Sequence, residues 1–90
     1  MEITFDPNKR KKVLEERGLD FADVSEIFAG RTATVEDIRK VYPERRFITA
    51  GVLAGRIVVT VWTPTPCGRR IISMRQCHED EARLWRRSMV

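Results

Sequence analysis

Apolar positions along this chain change their period partway through. Early on they recur at three- and four-residue intervals, as Phe21, Val24, Ile27 and Phe28, which marks a helix with one buried stripe. Later they fall in short β-branched runs: Phe47-Ile48-Thr49, Ile57 to Trp62, and Ile71-Ile72-Ser73. The punctuation around these patterns places the elements. Residues 3–5 suit a short edge strand. Asp6 is an N-cap, Pro7 fits a first helical position and Gly18 closes the first helix. Asp20 and Gly30 bracket the second helix in the same way. Thr32 to Val35 predicts a strand, and Glu36 to Pro43 a charged connection that contains Tyr42. Strands follow at 45–52 and 56–63, joined by a tight turn at Leu53-Ala54-Gly55. Pro64 to Gly68 reads as a loop, because both prolines would break a ladder. A last strand at 69–76 and a charged helix from His78 to Ser88 complete the chain.

This order predicts an α+β fold. It is an antiparallel β-sheet meander with two N-terminal helices and one C-terminal helix packed on it. The helices are expected to cover one face and leave the other partly open. A hairpin register that pairs Leu53 with Arg56, Trp62 with Arg70 and Ile57 with Arg75 sorts the side chains. Ile48, Ala50, Val52, Ile57, Val59, Val61, Ile71 and Ser73 form the expected core face. Phe47, Thr49, Val58, Thr60, Trp62, Ile72 and Met74 form the expected open face, with Arg56 and Arg70 at its margins. A slip of one residue would exchange the two.

Ninety residues, 42% of them apolar, make one domain (1–90) with a modest core. The net charge of +4 favours an anionic partner without choosing among nucleic acid and acidic protein. The opening Met-Glu-Ile-Thr-Phe lacks the basic and apolar regions of a signal peptide, and no apolar run approaches a membrane span. Cys67 and Cys77 flank one predicted strand, which would hold them roughly 30 Å apart, so they read as free thiols in a reducing cytoplasm. With His78 they lack both the spacing and the fourth ligand of a zinc site, so no metal is expected. No cofactor motif is present: Gly-rich phosphate loops, HExxH and Gly-x-Ser-x-Gly are all missing.

The distribution of arginine changes the picture. Arg45, Arg46, Arg56, Arg69, Arg70 and Arg75 bracket the predicted strands. Guanidinium is planar, always charged and grips oxyanions through paired hydrogen bonds, so such a surface suits phosphate. The competing reading pairs these arginines with Glu36, Asp37, Glu44 and Glu79-Asp80-Glu81 as ordinary surface ion pairs. Lys9 to Lys12 wraps a whole helical turn, either as a solvated face or as a docking surface for RNA or an acidic partner. His78, the only histidine, fits a general acid or base, or a helix cap. Metal-independent RNA cleavage needs few groups: a base for the 2′-hydroxyl, cations for the phosphate and an acid for the leaving oxygen.

Taken in order, several short pieces of the chain resemble the BrnT family of bacterial toxins. They are Phe5-Asp6-Pro7-Asn8-Lys9, Gly18 with Phe21, Glu36-Asp37 with Arg39, then Tyr42, Glu44 and Arg46-Phe47-Ile48. Gly51, Gly55-Arg56 and Arg70-Ile71-Ile72-Ser73 with Arg75 continue the series. The resemblance implies a RelE-like fold and a ribonuclease toxin of a type II toxin–antitoxin pair, which cuts RNA and inhibits translation. It also implies a BrnA-like ribbon-helix-helix antitoxin, a heterotetramer of two toxins with two antitoxins, and DNA contact only through the antitoxin. On this reading Glu44 is the candidate base or orienting carboxylate, and Arg46, Arg56, Arg70 and Arg75 are the candidate phosphate and transition-state contacts. Arg45, Arg69 and Lys9 are candidates for wider RNA binding. The chain departs from relatives at Glu16-Arg17-Gly18, where many carry Lys-His-Gly, at Thr63 to Gly68, and at Gln76-Cys77-His78-Glu79. The alternative function is a catalytically inactive, toxin-like binding module that acts with its antitoxin in DNA-binding autoregulation.

Overall fold

The computed structural model describes residues 2–89. Strand β1 (Glu2–Phe5) leads into helix α1 (Pro7–Arg17), then a 3₁₀ turn (Phe21–Asp23) and helix α2 (Val24–Ala29). Strand β2 (Ala33–Glu36) precedes a connection over residues 37–46. Strands β3 (Phe47–Leu53), β4 (Arg56–Thr65) and β5 (Gly68–Gln76) and helix α3 (Glu79–Ser88) follow.

The caps of α1 form as the sequence predicts, whereas Asp20 caps the 3₁₀ turn and α2 itself has no side-chain cap. The Asp6 carboxylate accepts from Asn8 N at 2.8 Å, Pro7 opens α1, and Gly18 ends it at φ 69°. The αL conformation lets the Gly18 N–H reach the Leu14 carbonyl at 3.0 Å. The two-residue turn between β3 and β4 places both Ala54 (φ 51°) and Gly55 (φ 75°) at positive φ, which matches the twist of the paired strands.

One five-stranded sheet has the order β1-β5-β4-β3-β2. Strands β2 to β5 form the expected antiparallel meander, but β1 joins β5 in parallel, so the sheet is mixed. The whole intervening chain supplies the long crossover that a parallel pair requires. Beyond the end of β1, helix α1 takes over the edge of β5, and Arg17 Nη1 donates to the Met74 carbonyl at 2.7 Å.

The register between β4 and β5 also differs from expectation. Trp62 pairs with Ile71, and Arg70 lies opposite Thr63. The predicted loop over 64–68 is instead a tight turn, with Thr65 opposite Gly68. Pro64 is accommodated because β3 has already ended beside it, so its missing N–H breaks no ladder on that side. A bulge at Val61/Trp62 then shifts the pairing again, and Arg75 lies opposite Val59.

Helices pack on both faces of the sheet, which corrects the expectation of one covered face. The 3₁₀ turn and α2 bury Phe21, Val24 and Ile27 against Val58, Ile71 and Met74. This is the face expected to be open. Its buried threonines are satisfied internally: Trp62 Nε1 donates to Thr49 Oγ1 at 2.8 Å, and Thr60 Oγ1 donates to the Ser73 carbonyl at 3.0 Å. A methyl added at Gly51 would stand 2.5 Å from Ile27 Cγ2, so α2 approaches β3 at glycine distance. On the opposite face, Ala82 of α3 and Cys77 pack on Ala50, Ile57 and Val59, with Trp85 and Met89 alongside. Helix α3 leaves free the end of this face that carries Thr63 and Arg70, where the 37–46 connection and the start of α1 meet. No helix of the described residues is long and apolar enough to cross a membrane.

Candidate active site

Four segments converge at that free end. Lys9 from α1, Glu44 and Arg46 from the connection, Thr63 and Pro64 from β4, and Arg70 from β5 line a solvent-open hollow of about 420 Å³. Three cations face one carboxylate there, and Arg46 Nε donates to Glu44 Oε1 at 3.1 Å. The surplus of positive charge suits a bound phosphate.

The connection has no regular structure, so its shape depends on a buried acid. The Asp37 side chain is fully shielded from solvent. Its carboxylate accepts from Arg39 Nε and Nη2, both at 2.8 Å, from Arg39 N at 3.2 Å, and from the Tyr42 hydroxyl at 3.2 Å. The Arg39 hydrogen bonds hold the Asp37 carboxyl well below the usual carboxylate range, against the opposing effect of burial. Arg39 is raised in return. The Tyr42 ring then underlies the Arg46 guanidinium at 4.2 Å. A backbone bond from Asp37 N to the Arg46 carbonyl at 2.8 Å ties the two ends of the segment together, and the Thr63 hydroxyl donates to the Arg45 carbonyl at 2.7 Å.

The remaining arginines do not share the hollow. Arg75 faces the same side of the sheet, opposite Val59, but Glu81 of α3 grips it through two 2.7 Å hydrogen bonds. That grip draws the Glu81 carboxyl down to about 2 and raises Arg75. Arg45 is exposed and paired with Glu36 by two 3.1 Å bonds. Arg69 belongs to the face covered by α2, where its guanidinium lies 3.9 Å from the Phe28 ring centre and 4.7 Å from that of Trp62. Arg56 donates to Gln76 at 3.2 Å and lines a separate hollow of about 450 Å³. That second hollow also holds Asp20, Asp23 and Glu26, three carboxylates against Arg17 and Arg56, which disfavours a polyanion despite its size. His78 occupies the N-cap of α3, but its side chain makes no capping bond.

Sequence reasoning placed Glu44, Arg46, Arg70 and Lys9 among the candidates, and the fold brings these four together. It did not identify Asp37, Arg39 and Tyr42 as the group that shapes the connection. The available signal was an Asp-x-Arg pair followed by the only tyrosine, inside an otherwise charged stretch. Thr63, the tie from β4, carried no signal. Among the described residues, no three His, Cys, Asp or Glu side chains are grouped to hold a metal ion.

A family model described as "Ribonuclease toxin, BrnT, of type II toxin-antitoxin system" matches residues 5–81. The matched span contains the whole hollow and the connection that builds it. No curated protein matches the chain significantly.

Proposed function

Because this chain belongs to the BrnT family of ribonuclease toxins of type II toxin–antitoxin systems, we propose that it cleaves RNA in the hollow of Lys9, Glu44, Arg46 and Arg70. The observation that supports this is the meeting of three cations and one carboxylate from three separate elements around one open site. Glu44 takes the proton of a 2′-hydroxyl. The freed oxygen bonds to the adjacent phosphorus as the bond to the 5′-oxygen breaks. Arg46 and Arg70 donate to the non-bridging oxygens as charge builds on them, with Lys9 adding positive charge at the rim. The departing 5′-oxygen takes a proton from water in the open hollow. The products are a 2′,3′-cyclic phosphate and a 5′-hydroxyl, and no metal is required. Arg75, neutralised by Glu81, lies further along the same face and takes no part in the step.

Cutting messenger RNA would inhibit translation, and the family implies an antitoxin partner. On this reading the partner is a BrnA-like ribbon-helix-helix protein in a two-plus-two assembly, and an acidic or amphipathic segment of it covers the arginine-lined hollow. DNA is reached through that partner. The α+β layout is read as RelE-like.

The test is incubation of purified protein with end-labelled RNA in excess EDTA. Fragments ending in cyclic phosphate are expected, and R46A or R70A should slow their appearance about 10²–10³-fold. Intact RNA that is merely retained, with strong salt sensitivity, would instead identify a binding module without catalysis.

A further inference from the structure

A smaller hollow of about 260 Å³ adjoins the candidate active site, sharing Lys9 and Ile72 with it, and continues along α1 past Lys12 to Arg17. Lys9, Lys12 and Arg17 fall at i, i+3 and i+8, so they lie within one broad face of α1, about 140° wide, that also carries Glu16. The helical rise spreads them over roughly 12 Å, about three stacked nucleotides at 3.4 Å each. Helix α1 buries no residue and has no acid in its first turn, so this face keeps its charge in water. Together the two hollows hold Lys9, Lys12, Arg17, Arg46 and Arg70 against Glu16 and Glu44. Arg17 ends the row: it donates to the Met74 carbonyl and also borders the hollow that holds Asp20, Asp23 and Glu26, so Lys12 is the cation of this stretch that is free of acidic neighbours in either hollow except Glu16. The floor between the hollows is the edge of β5 at Ile72 and Ser73.

We infer that this row is a subsite for the backbone of single-stranded RNA flanking the scissile phosphate, an inference that rests on the proposed ribonuclease reading. A track of flexible cations with no aromatic lining reads phosphates rather than bases, so it sets affinity and direction without sequence preference. A minimal substrate occupies the first hollow alone. A longer one also engages Lys12.

The experiment measures binding of wild type, K12E and K11E to fluorescent 2′-O-methyl RNA of four and ten nucleotides, which lacks the attacking hydroxyl. Lys11 lines neither hollow, so K11E makes the same change in net charge off the track. K12E should weaken ten-nucleotide binding about tenfold and reduce the slope of log Kd against log salt by about 0.7, the loss of one phosphate contact. K11E should change binding less than about threefold, as expected of a screened charge off the path. Both substituted positions are exposed, and far-ultraviolet circular dichroism checks that the helix persists. Equal effects of K12E and K11E, with RNA still bound and cleaved by wild type, would overturn the subsite and leave the active site standing. Absence of RNA binding by wild type would overturn both. Loss of antitoxin binding by K12E with RNA binding intact would make the row a protein-docking surface and overturn the inference.

Discussion

Asp37→Asn tests whether a buried carboxylate shapes the connection that carries Glu44 and Arg46. The substitution keeps the volume and removes the charge. Asp37 accepts four hydrogen bonds, three of them from Arg39, and its side chain is shielded from solvent. Hydrogen bonds to a charged group contribute about 1.5–3 kcal/mol. Stranding a fully buried charge would cost more, about 3–5 kcal/mol. That larger figure does not apply, because the Arg39 side chain is 65% exposed and returns to water once released. A loss of about 2 kcal/mol is therefore expected at pH 7, or roughly 10 °C in Tm for a domain of this size. The pH dependence has a definite sign. The folded carboxyl ionises below its unfolded value, so the unfolded chain binds more protons in acid. The stabilisation is complete above about pH 4 and drains at about 1.4 kcal/mol per unit below it. Thermal melts by circular dichroism at pH 7 and pH 3 should show a gap between wild type and D37N that narrows in acid. Release of Tyr42 should also loosen Arg46 and lower RNA cleavage on the order of tenfold. A gap under about 0.5 kcal/mol at pH 7, or one that does not narrow at pH 3, would refute the reasoning.

Three further predictions follow from the same geometry. Glu81→Gln should cost about 0.5–1 kcal/mol at pH 7, since the pair with Arg75 is partly exposed. The gap between wild type and E81Q should close as pH falls from about 4.5 towards 2, while the other ion-paired carboxylates titrate alike in both; parallel acid titrations would contradict this. Ala54→Asn or Ala54→Gly should raise stability by up to about 1 kcal/mol, because alanine is strained at φ 51°, and an unchanged or lower Tm would be inconsistent with that turn. Iodoacetamide at pH 8 should modify exposed Cys67 and spare buried Cys77, whose thiol burial pushes up to about 11; rapid double labelling of folded protein would count against the packing under α3.

Local chemistry made much of the fold legible. Asp6-Pro7 and Gly18 bound α1, and Ala54-Gly55 set the β3–β4 register through Leu53 opposite Arg56. What failed depended on counting residues across a turn. A two-residue turn at Pro66-Cys67, in place of a longer loop, moved Arg70 from beside Trp62 to beside Thr63 and thus to the other face. The bulge at Val61/Trp62 added another residue and left Arg75 on the face first expected. The sheet face bearing Thr49, Thr60 and Trp62 looked polar enough to be open. Thr49 pairs with Thr34 and the Trp62 indole, and Thr60 donates to the Ser73 carbonyl, so the face can be buried under α2. Arginines shared by sequence context were separated in space: Arg69 and Arg70 are neighbours in the chain, yet one packs on Phe28 and the other lines the hollow. The role of Asp37 was hidden because burial in an irregular connection leaves no periodic trace.

Cleavage of a single defined RNA in EDTA by wild type, R46A, R70A and R56A tests the central claim most directly, with kcat/KM as the readout. Losses of about 10²–10³ are expected for R46A and R70A, and a change under about threefold for R56A, which stands with Asp20, Asp23 and Glu26 in the acidic hollow. Equal losses for all three variants, or full activity in R46A and R70A, would contradict that claim.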